Sequence, residues 1–338
     1  MQGEDKKYEI LRMLKEKYPE FISGEGLSRH FGISRTAIWK YVRSLKEEGY
    51  GIEASSKIGY RLVDSYIING CEIASDLGTK IIGKKVLYFD SIDSTSNYAK
   101  QIALESAEEG TTVVAGSQSE GRGRLGRKWD SPTGSGIYLS IILRPLLPPE
   151  NVQGITLAAS VAVARAMEKI TGIRPGIKWP NDLLLNGRKV CGILTEMNSE
   201  MERVNFVVLG IGINYDRQYD EFPAELAGRA TSLSAFAAER GIAVKKSGKL
   251  EMLRAVLQEL DEVYGGVIGS KTGEILGQWK KYSVTLGKEV RILTGTMEYL
   301  AVAEDITDDG KLIVKCGDGS VRLIQSGEIS IRGVNGYA

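Results

Sequence analysis

The chain has 338 residues, 42% of them apolar and 26% charged, which suits two or three soluble domains and excludes a disordered chain. With 44 basic against 43 acidic residues the net charge is +1, so any nucleic-acid contact must be a local patch. The single histidine, His30, excludes multi-histidine zinc or iron sites, and three scattered cysteines without a CxxC pair point to a reducing cytoplasm rather than a disulfide framework.

The N-terminus is polar and lacks the apolar stretch of a signal peptide, and no run is long enough for a membrane span. Residues 6–17 read as an amphipathic helix, with Ile10, Leu11 and Leu14 at helical spacing. A short helix follows Ser23 and is broken by Gly32. Ser34 then caps a third helix, Arg35 to about Glu47. Two helices around a tight glycine turn form a helix-turn-helix pattern. In the third helix Ala37, Ile38, Val42 and Leu45 suit a core. Ser34, Arg35, Thr36, Lys40 and Arg43 are left for DNA, and no acid occurs between Ser34 and Leu45. Strands near 49–53 and 57–62 read as a wing, with Lys57 and Arg61 available to phosphates. His30 reads as structural.

Residues 66–80 are expected to form a connector helix. A buried strand, Val86–Phe89, runs into Asp90-Ser91-Ile92-Asp93-Ser94-Thr95-Ser96-Asn97, and a helix is expected from Tyr98. The hydroxyls of Ser94, Thr95 and Ser96 before a helix suit either a ligand site or a plain cap. After strand 111–115 comes Gln118-Ser119-Glu120-Gly121-Arg122-Gly123-Arg124-Leu125-Gly126-Arg127-Lys128-Trp129. It matches GxGxxG, but turn residues and a strand follow where a dinucleotide fold needs a helix. Four cations on a glycine-rich backbone instead suit a loop that closes over a polyphosphate or carboxylate. The excess of glycine, 40 residues or about 12% against about 7% in average proteins, points the same way.

Residues 151–170 read as an apolar core helix. Then comes Lys178-Trp179-Pro180-Asn181-Asp182, and Asn186-Gly187 between apolar runs signals a type I′ hairpin. Asn181 and Asp182 suit a metal-linked phosphate or plain turn chemistry. Position alone makes Lys189 an exposed hairpin lysine. Strand 206–214 carries Gly210 and Gly212, which let a ligand lie against it, as does Gly192 on the preceding strand. The C-terminal region, from Ser283 on, shows four short strands about ten residues apart, a small β domain.

Together, Gly-Arg-Gly-Arg-Leu-Gly-Arg-Lys-Trp, Lys-Trp-Pro-Asn-Asp, Gly-Arg-Lys-Val-Cys-Gly-Ile-Leu and Gly-Ile-Gly-Ile-Asn resemble biotin protein ligases. With the winged helix, the whole chain resembles the bifunctional bacterial biotin ligases and biotin operon repressors. The resemblance implies an α+β multidomain chain: a winged helix-turn-helix over 1–66, a class II synthetase-like mixed sheet with helices over 67–282, and an SH3-like barrel over 283–338. It implies that biotin and Mg²⁺-ATP form biotinyl-5′-AMP, and that biotin then passes to a lysine of the biotin carboxyl carrier protein of a carboxylase such as acetyl-CoA carboxylase. It also implies that the adenylate is a corepressor, under which a homodimer reads operator DNA.

By the same resemblance Arg124 and Lys189 bridge the biotin carboxylate and α-phosphate, with Asp182 assisting transfer and lying near Mg²⁺. Ser94, Thr95, Ser96, Gln118, Gly121, Arg122, Gly123, Gly192, Gly210 and Gly212 would surround biotin. Arg127, Trp129, Asn181, Asn214 and Arg332 would surround the nucleotide. Leu125 departs from relatives that carry arginine there, which weakens loop charge without touching an assigned residue. A lipoate-type ligase, and a regulator that senses a ligand without catalysis, are the alternatives.

Overall fold

The computed structural model describes residues 2–64, 67–200, 203–244, 248–268, 271–293, 298–325 and 330–333. It divides into two compact units, at Ile68/Asn69.

The first unit begins with α1 (Gln2–Glu16), α2 (Gly24–Phe31) and α3 (Arg35–Glu47). Ser23 Oγ accepts from Gly26 N, and Ser34 Oγ accepts from Ala37 N, so both helices start on the expected hydroxyl caps. Gly32, at φ 62°, ends α2 in the left-handed region that glycine tolerates best. Ile10, Leu14, Leu27, Ile38, Val42 and Leu45 form the buried core of the unit. Each such side chain contributes roughly 1.5–3 kcal/mol when removed from water. Two antiparallel strands, β1 (Gly51–Ser55) and β2 (Gly59–Asp64), form the wing. Gly59 is required there: at φ 118°, a Cβ would lie 2.0 Å from the Ile22 carbonyl oxygen.

The second unit opens with a shorter helix than expected. Instead of a connector helix over 66–80, α4 covers only Gly70–Ala74, and residue 66 lies outside the described residues. Asp76 (φ 54°) and Gly78 (φ 67°) adopt left-handed conformations that stop further helix. Then follow β3 (Val86–Phe89), α5 (Thr95–Leu104), β4 (Thr112–Ala115) and β5 (Gly136–Leu143). Helix α5 starts three residues earlier than expected, because Ser94 caps it. The apolar helix α6 (Val152–Thr171) precedes β6 (Gly176–Lys178), β7 (Asp182–Leu185), β8 (Arg188–Glu200) and β9 (Arg203–Asn214).

These strands form one seven-stranded mixed sheet in the order β3-β4-β5-β9-β8-β7-β6, with only β3–β4 parallel. The β7–β8 turn has Asn186 at φ 49° and Gly187 at φ 76°, the two positive values of a type I′ hairpin. Helices α7 (Leu233–Ala238), α8 (Gly248–Ile268) and α9 (Thr272–Tyr282) complete the layer, with α6 against both α8 and α9.

The last strands are β10 (Glu289–Leu293), β11 (Glu298–Ile306), β12 (Leu312–Cys316), β13 (Val321–Ile324) and β14 (Ser330–Gly333). They make an antiparallel sheet ordered β13-β12-β11-β10-β14. Among the described residues no ladder joins β13 to β14, so the expected barrel is seen as an open sheet. This sheet supports the site: the Gly310 carbonyl accepts from Trp179 Nε1 (3.1 Å) and Gln153 Nε2 (2.6 Å), while Trp179 N donates to Thr285 Oγ1 (2.9 Å). Trp179, two residues before Asn181, is thereby fixed from both sides.

Candidate active site and nucleic-acid interface

A cavity of about 970 Å³ opens over β8 and β9. One half is neutral and polar. The Gln118 side-chain oxygen accepts from Thr95 N (2.8 Å) and Thr95 Oγ1 (3.0 Å), and Gln118 Nε2 donates to Ser131 Oγ (2.9 Å). Thr95 Oγ1 and Ser96 Oγ both lie within 3.0 Å of Ser140 Oγ. Ser140 pairs across the sheet with Gly210, where a Cβ would come 2.8 Å from Ser96 Oγ. Such a cluster offers donors and acceptors to a small polar ring. Ser140 carried no motif signal; its position opposite Gly210 is a matter of register. Ser94 is fully buried, caps α5 and does not line the cavity.

The other half is cationic. Arg124 Nη1 donates to Asn181 Oδ1 at 3.0 Å, and Asn181 Nδ2 donates to the Ile193 carbonyl at 2.8 Å. Lys189 Nζ lies 2.6 Å from Asp182 Oδ1 and 5.3 Å from the Trp129 ring centroid. Lys189 is therefore turned inward, not the exposed hairpin lysine its position suggested. The bulge between Leu183 and Leu184 changes the pairing just before the turn. Below it, burial pushes the Cys191 thiol well above its ordinary pKa, which leaves that sulfur an inert neighbour.

The glycine-arginine loop is a small hairpin, not an open strap. Trp129 N donates to the Gly121 carbonyl (2.8 Å), and Gly123 N donates to the Arg127 carbonyl (2.7 Å). Its four cations separate. Arg122 lines the cavity while pairing with Asn97 Oδ1 (2.8 Å) and Glu196 (3.4 Å), Arg124 turns inward, and Arg127 and Lys128 are exposed at the rim. Gly121 is buried under the returning strand, where a Cβ would meet the Trp129 carbonyl at 2.3 Å. The Trp129 ring covers Gly192 and Gly212, and a Cβ at Gly212 would lie 2.3 Å from Trp129 Nε1. Gly123 and Asn214 also line the cavity, and Asn214 Nδ2 donates to the Thr231 carbonyl at 3.1 Å.

Two further buried cations were missed by sequence reasoning. Lys178, buried at the end of β6, lines the same cavity. Arg217, also buried, pairs with Asp130 at 2.7 Å and lies 4.3 Å from the Phe222 ring centroid. The first sat inside a motif read for its asparagine and aspartate. The second depends on a partner 87 positions away. Arg332 pairs through its backbone with Arg291, and its side chain lies outside the described residues.

Magnesium, which the resemblance implied, finds no protein-built cage. Among the described residues no group of three His, Cys, Asp or Glu could hold a metal ion, and Asp182 is engaged by Lys189. The donor set does not fit a resident Mg²⁺.

In the first unit, Arg35, Thr36, Lys40 and Arg43 are exposed on α3 and Lys57 on the wing turn. Arg43 is paired with Glu47 at 2.9 Å and Arg61 with Glu53 at 2.6 Å, so two of the expected phosphate contacts carry internal carboxylate partners. Ser34 spends its hydroxyl on the helix cap. His30 is exposed and meets Phe31 edge-on at 4.8 Å, not a core residue. No helix among the described residues is long and apolar enough to cross a membrane.

The fold and the cavity define a class. The biotin/lipoate A/B protein ligase family model matches residues 88–214, a helix-turn-helix model matches 6–61, and the biotin protein ligase C-terminal domain model matches 285–332. The chain is 37% identical to the bifunctional ligase/repressor BirA of Bacillus subtilis, covering 96% of this chain and 98% of that one. It is 31% identical to the protein of the same name from Escherichia coli, covering 93% and 94%. Among solved structures, the Aquifex aeolicus biotin protein ligase in complex with biotin and ATP aligns with a TM-score of 0.62 and 31% identity, over 74% of this chain and 99% of that one. The chain belongs to the family of bifunctional biotin protein ligases and repressors.

Proposed function

We propose that this chain activates biotin with ATP, passes the biotinyl group to a lysine of a biotin carboxyl carrier protein, and represses transcription when it holds the adenylate. On this reading the domains span 1–66, 67–282 and 283–338. The observation that carries it is the convergence of Arg124, Asn181, Asp182 and Lys189 at one end of a cavity whose other end is lined by Thr95, Ser96 and Gln118, with the buried Ser140 bonded to the first two.

Biotin fits that polarity. Its ureido ring takes the neutral end and its carboxylate the cationic end. A carboxylate is ionised at neutral pH, so the first step needs no base, and the scarcity of histidine costs nothing. The obstacle is to bring an anion to the α-phosphate of a polyanion. Arg124 and Lys189 supply positioned positive charge there. A carboxylate oxygen bonds to the α-phosphorus, and the α–β phosphoanhydride bond breaks to release pyrophosphate. Mg²⁺ enters, on this account, with the ATP substrate rather than as a resident ion.

In the second step the neutral amine of the acceptor lysine attacks the biotinyl carbonyl. AMP leaves with the electron pair, and the amine loses a proton, for which Asp182 is the nearest carboxylate in the assigned set. Trp129, Arg127 and Asn214 border the nucleotide. Arg35, Thr36, Lys40, Arg43, Lys57 and Arg61 contact operator DNA, and adenylate promotes the homodimer that reads two half-sites.

The test is mass spectrometry of a purified carrier domain after incubation with the protein, ATP and either biotin or lipoate. One biotinyl group on one lysine is expected, and none from lipoate. Lipoylation, or no modification, would overturn the reading.

A further inference from the structure

The exposed face of α3 carries a side chain that its charges do not explain. Ile38, Val42 and Leu45 are buried and fix the inward face of this helix. Trp39 flanks that inward face, three residues before Val42, and is 49% exposed, whereas Trp179 and Trp279 are at most 1% exposed. It stands three residues after Thr36 and four after Arg35, with Lys40 beside it and Arg43 four residues on, at the spacing that places all of them on one helical face. The Arg43 guanidinium lies 5.6 Å from the Trp39 ring centroid, and Glu47 holds that guanidinium at 2.9 Å. The indole is thus an apolar plate set among cations.

We propose that Trp39 reads operator DNA, its ring meeting a base edge in the major groove with the methyl group of thymine as preferred partner. This rests on the reading of α3 as the DNA-contacting helix. The surrounding charge selects the occupant: Arg35, Lys40 and Arg43 suit a phosphate-lined groove and would disfavour a basic or purely apolar protein surface. Within that groove, the C5-methyl of thymine is the apolar feature that an aromatic side chain can recognise. Cations here position the helix. Trp39 adds sequence preference without adding charge, which separates its signature from that of its neighbours.

The experiment is selection of duplexes from a random library by the full chain with biotin and ATP, comparing wild type, Trp39→Ala and Trp39→Phe. Wild type should select thymine at one position in each half-site. Trp39→Ala should lose that preference alone, with about tenfold weaker binding to the wild-type consensus. Its slope of log affinity against log salt should stay unchanged, because no phosphate contact is removed. Trp39→Phe should keep part of the preference. Replacing the selected thymine by uracil, which deletes only the methyl group, should weaken wild type several-fold and leave Trp39→Ala unaffected. An unchanged consensus in Trp39→Ala, or a loss spread over all positions with a shallower salt slope, would overturn the proposal. Failure of wild type to select any sequence would overturn the DNA-binding reading itself, and this proposal with it.

Discussion

Lys189 Nζ lies 2.6 Å from Asp182 Oδ1, across the β7–β8 pair, and 5.3 Å from the centroid of the Trp129 ring. The aspartate holds the lysine in the cavity, and the lysine keeps the aspartate from being a naked, largely buried carboxylate. If Asp182 also accepts the proton of the acceptor lysine, Asp182→Asn should slow transfer from pre-formed adenylate about tenfold or more. Single-turnover biotinylation of the carrier domain measures this, and a normal rate would remove Asp182 from the second step.

Arg124, on the glycine-arginine loop, donates to Asn181 Oδ1 at 3.0 Å, linking that loop to the residue just before the strand that carries Asp182. A charge-assisted hydrogen bond is worth about 1.5–3 kcal/mol. Arg124→Ala should therefore release biotinyl-5′-AMP about tenfold faster or more, read as adenylate dissociation in a stopped-flow chase. An unchanged rate would place Arg124 outside adenylate retention.

Gly121 admits no side chain, since a Cβ would meet the Trp129 carbonyl at 2.3 Å and Ser131 Oγ at 2.7 Å. Gly121→Ala should displace the loop hairpin and weaken biotin binding about tenfold or more by calorimetry, while global melting changes by only a few degrees. Wild-type affinity in this variant would show that the hairpin need not hold its form to bind biotin.

Sequence and structure part company at instructive places. The Asn186-Gly187 turn, the Ser34 cap and the core face of α3 were legible, because each depends on local backbone chemistry or helical period. The connector helix over 66–80 was not, since left-handed Asp76 is invisible to an apolar period. Lys189 read as exposed because its partner Asp182 is set by strand register, and Arg122, expected beside biotin, has partners that were hidden because Asn97 and Glu196 lie on other elements. Ser140, Lys178 and Arg217 belong to the same class: each joins the cavity region through pairing between distant segments.

Lys249 gives a pH-dependent prediction. Burial lowers its pKa from 10.5 to about 8, with Asp216 opposing the shift, and Nζ donates to the Gly134 carbonyl at 3.4 Å. Between these pKa values the unfolded chain binds more protons than the folded one, so this group's penalty is full below pH 8 and fades as pH rises toward 10.5. Lys249→Gln should raise Tm at pH 7, and the gain should shrink by pH 10.5. A gain independent of pH would mean the amine is not desolvated.

The internal pairs on the first unit make its cations unequal. Arg43 must be shared with Glu47, whereas Lys40 is exposed beside it without a carboxylate in that turn. Glu47→Gln should strengthen binding to duplex DNA, and Lys40→Ala should reduce the salt slope by about one. Fluorescence anisotropy across a salt series checks both, and weaker binding in Glu47→Gln would reverse the expected role of that pair.

On the proposed mechanism a fixed cationic end of the cavity joins the biotin carboxylate to the α-phosphate. Biotin-dependent exchange of labelled pyrophosphate into ATP, in wild type and Lys189→Ala, tests it most directly. Exchange should require biotin and fall about tenfold or more in Lys189→Ala, while biotin still binds. Exchange without biotin, or an unchanged rate in Lys189→Ala, would contradict it.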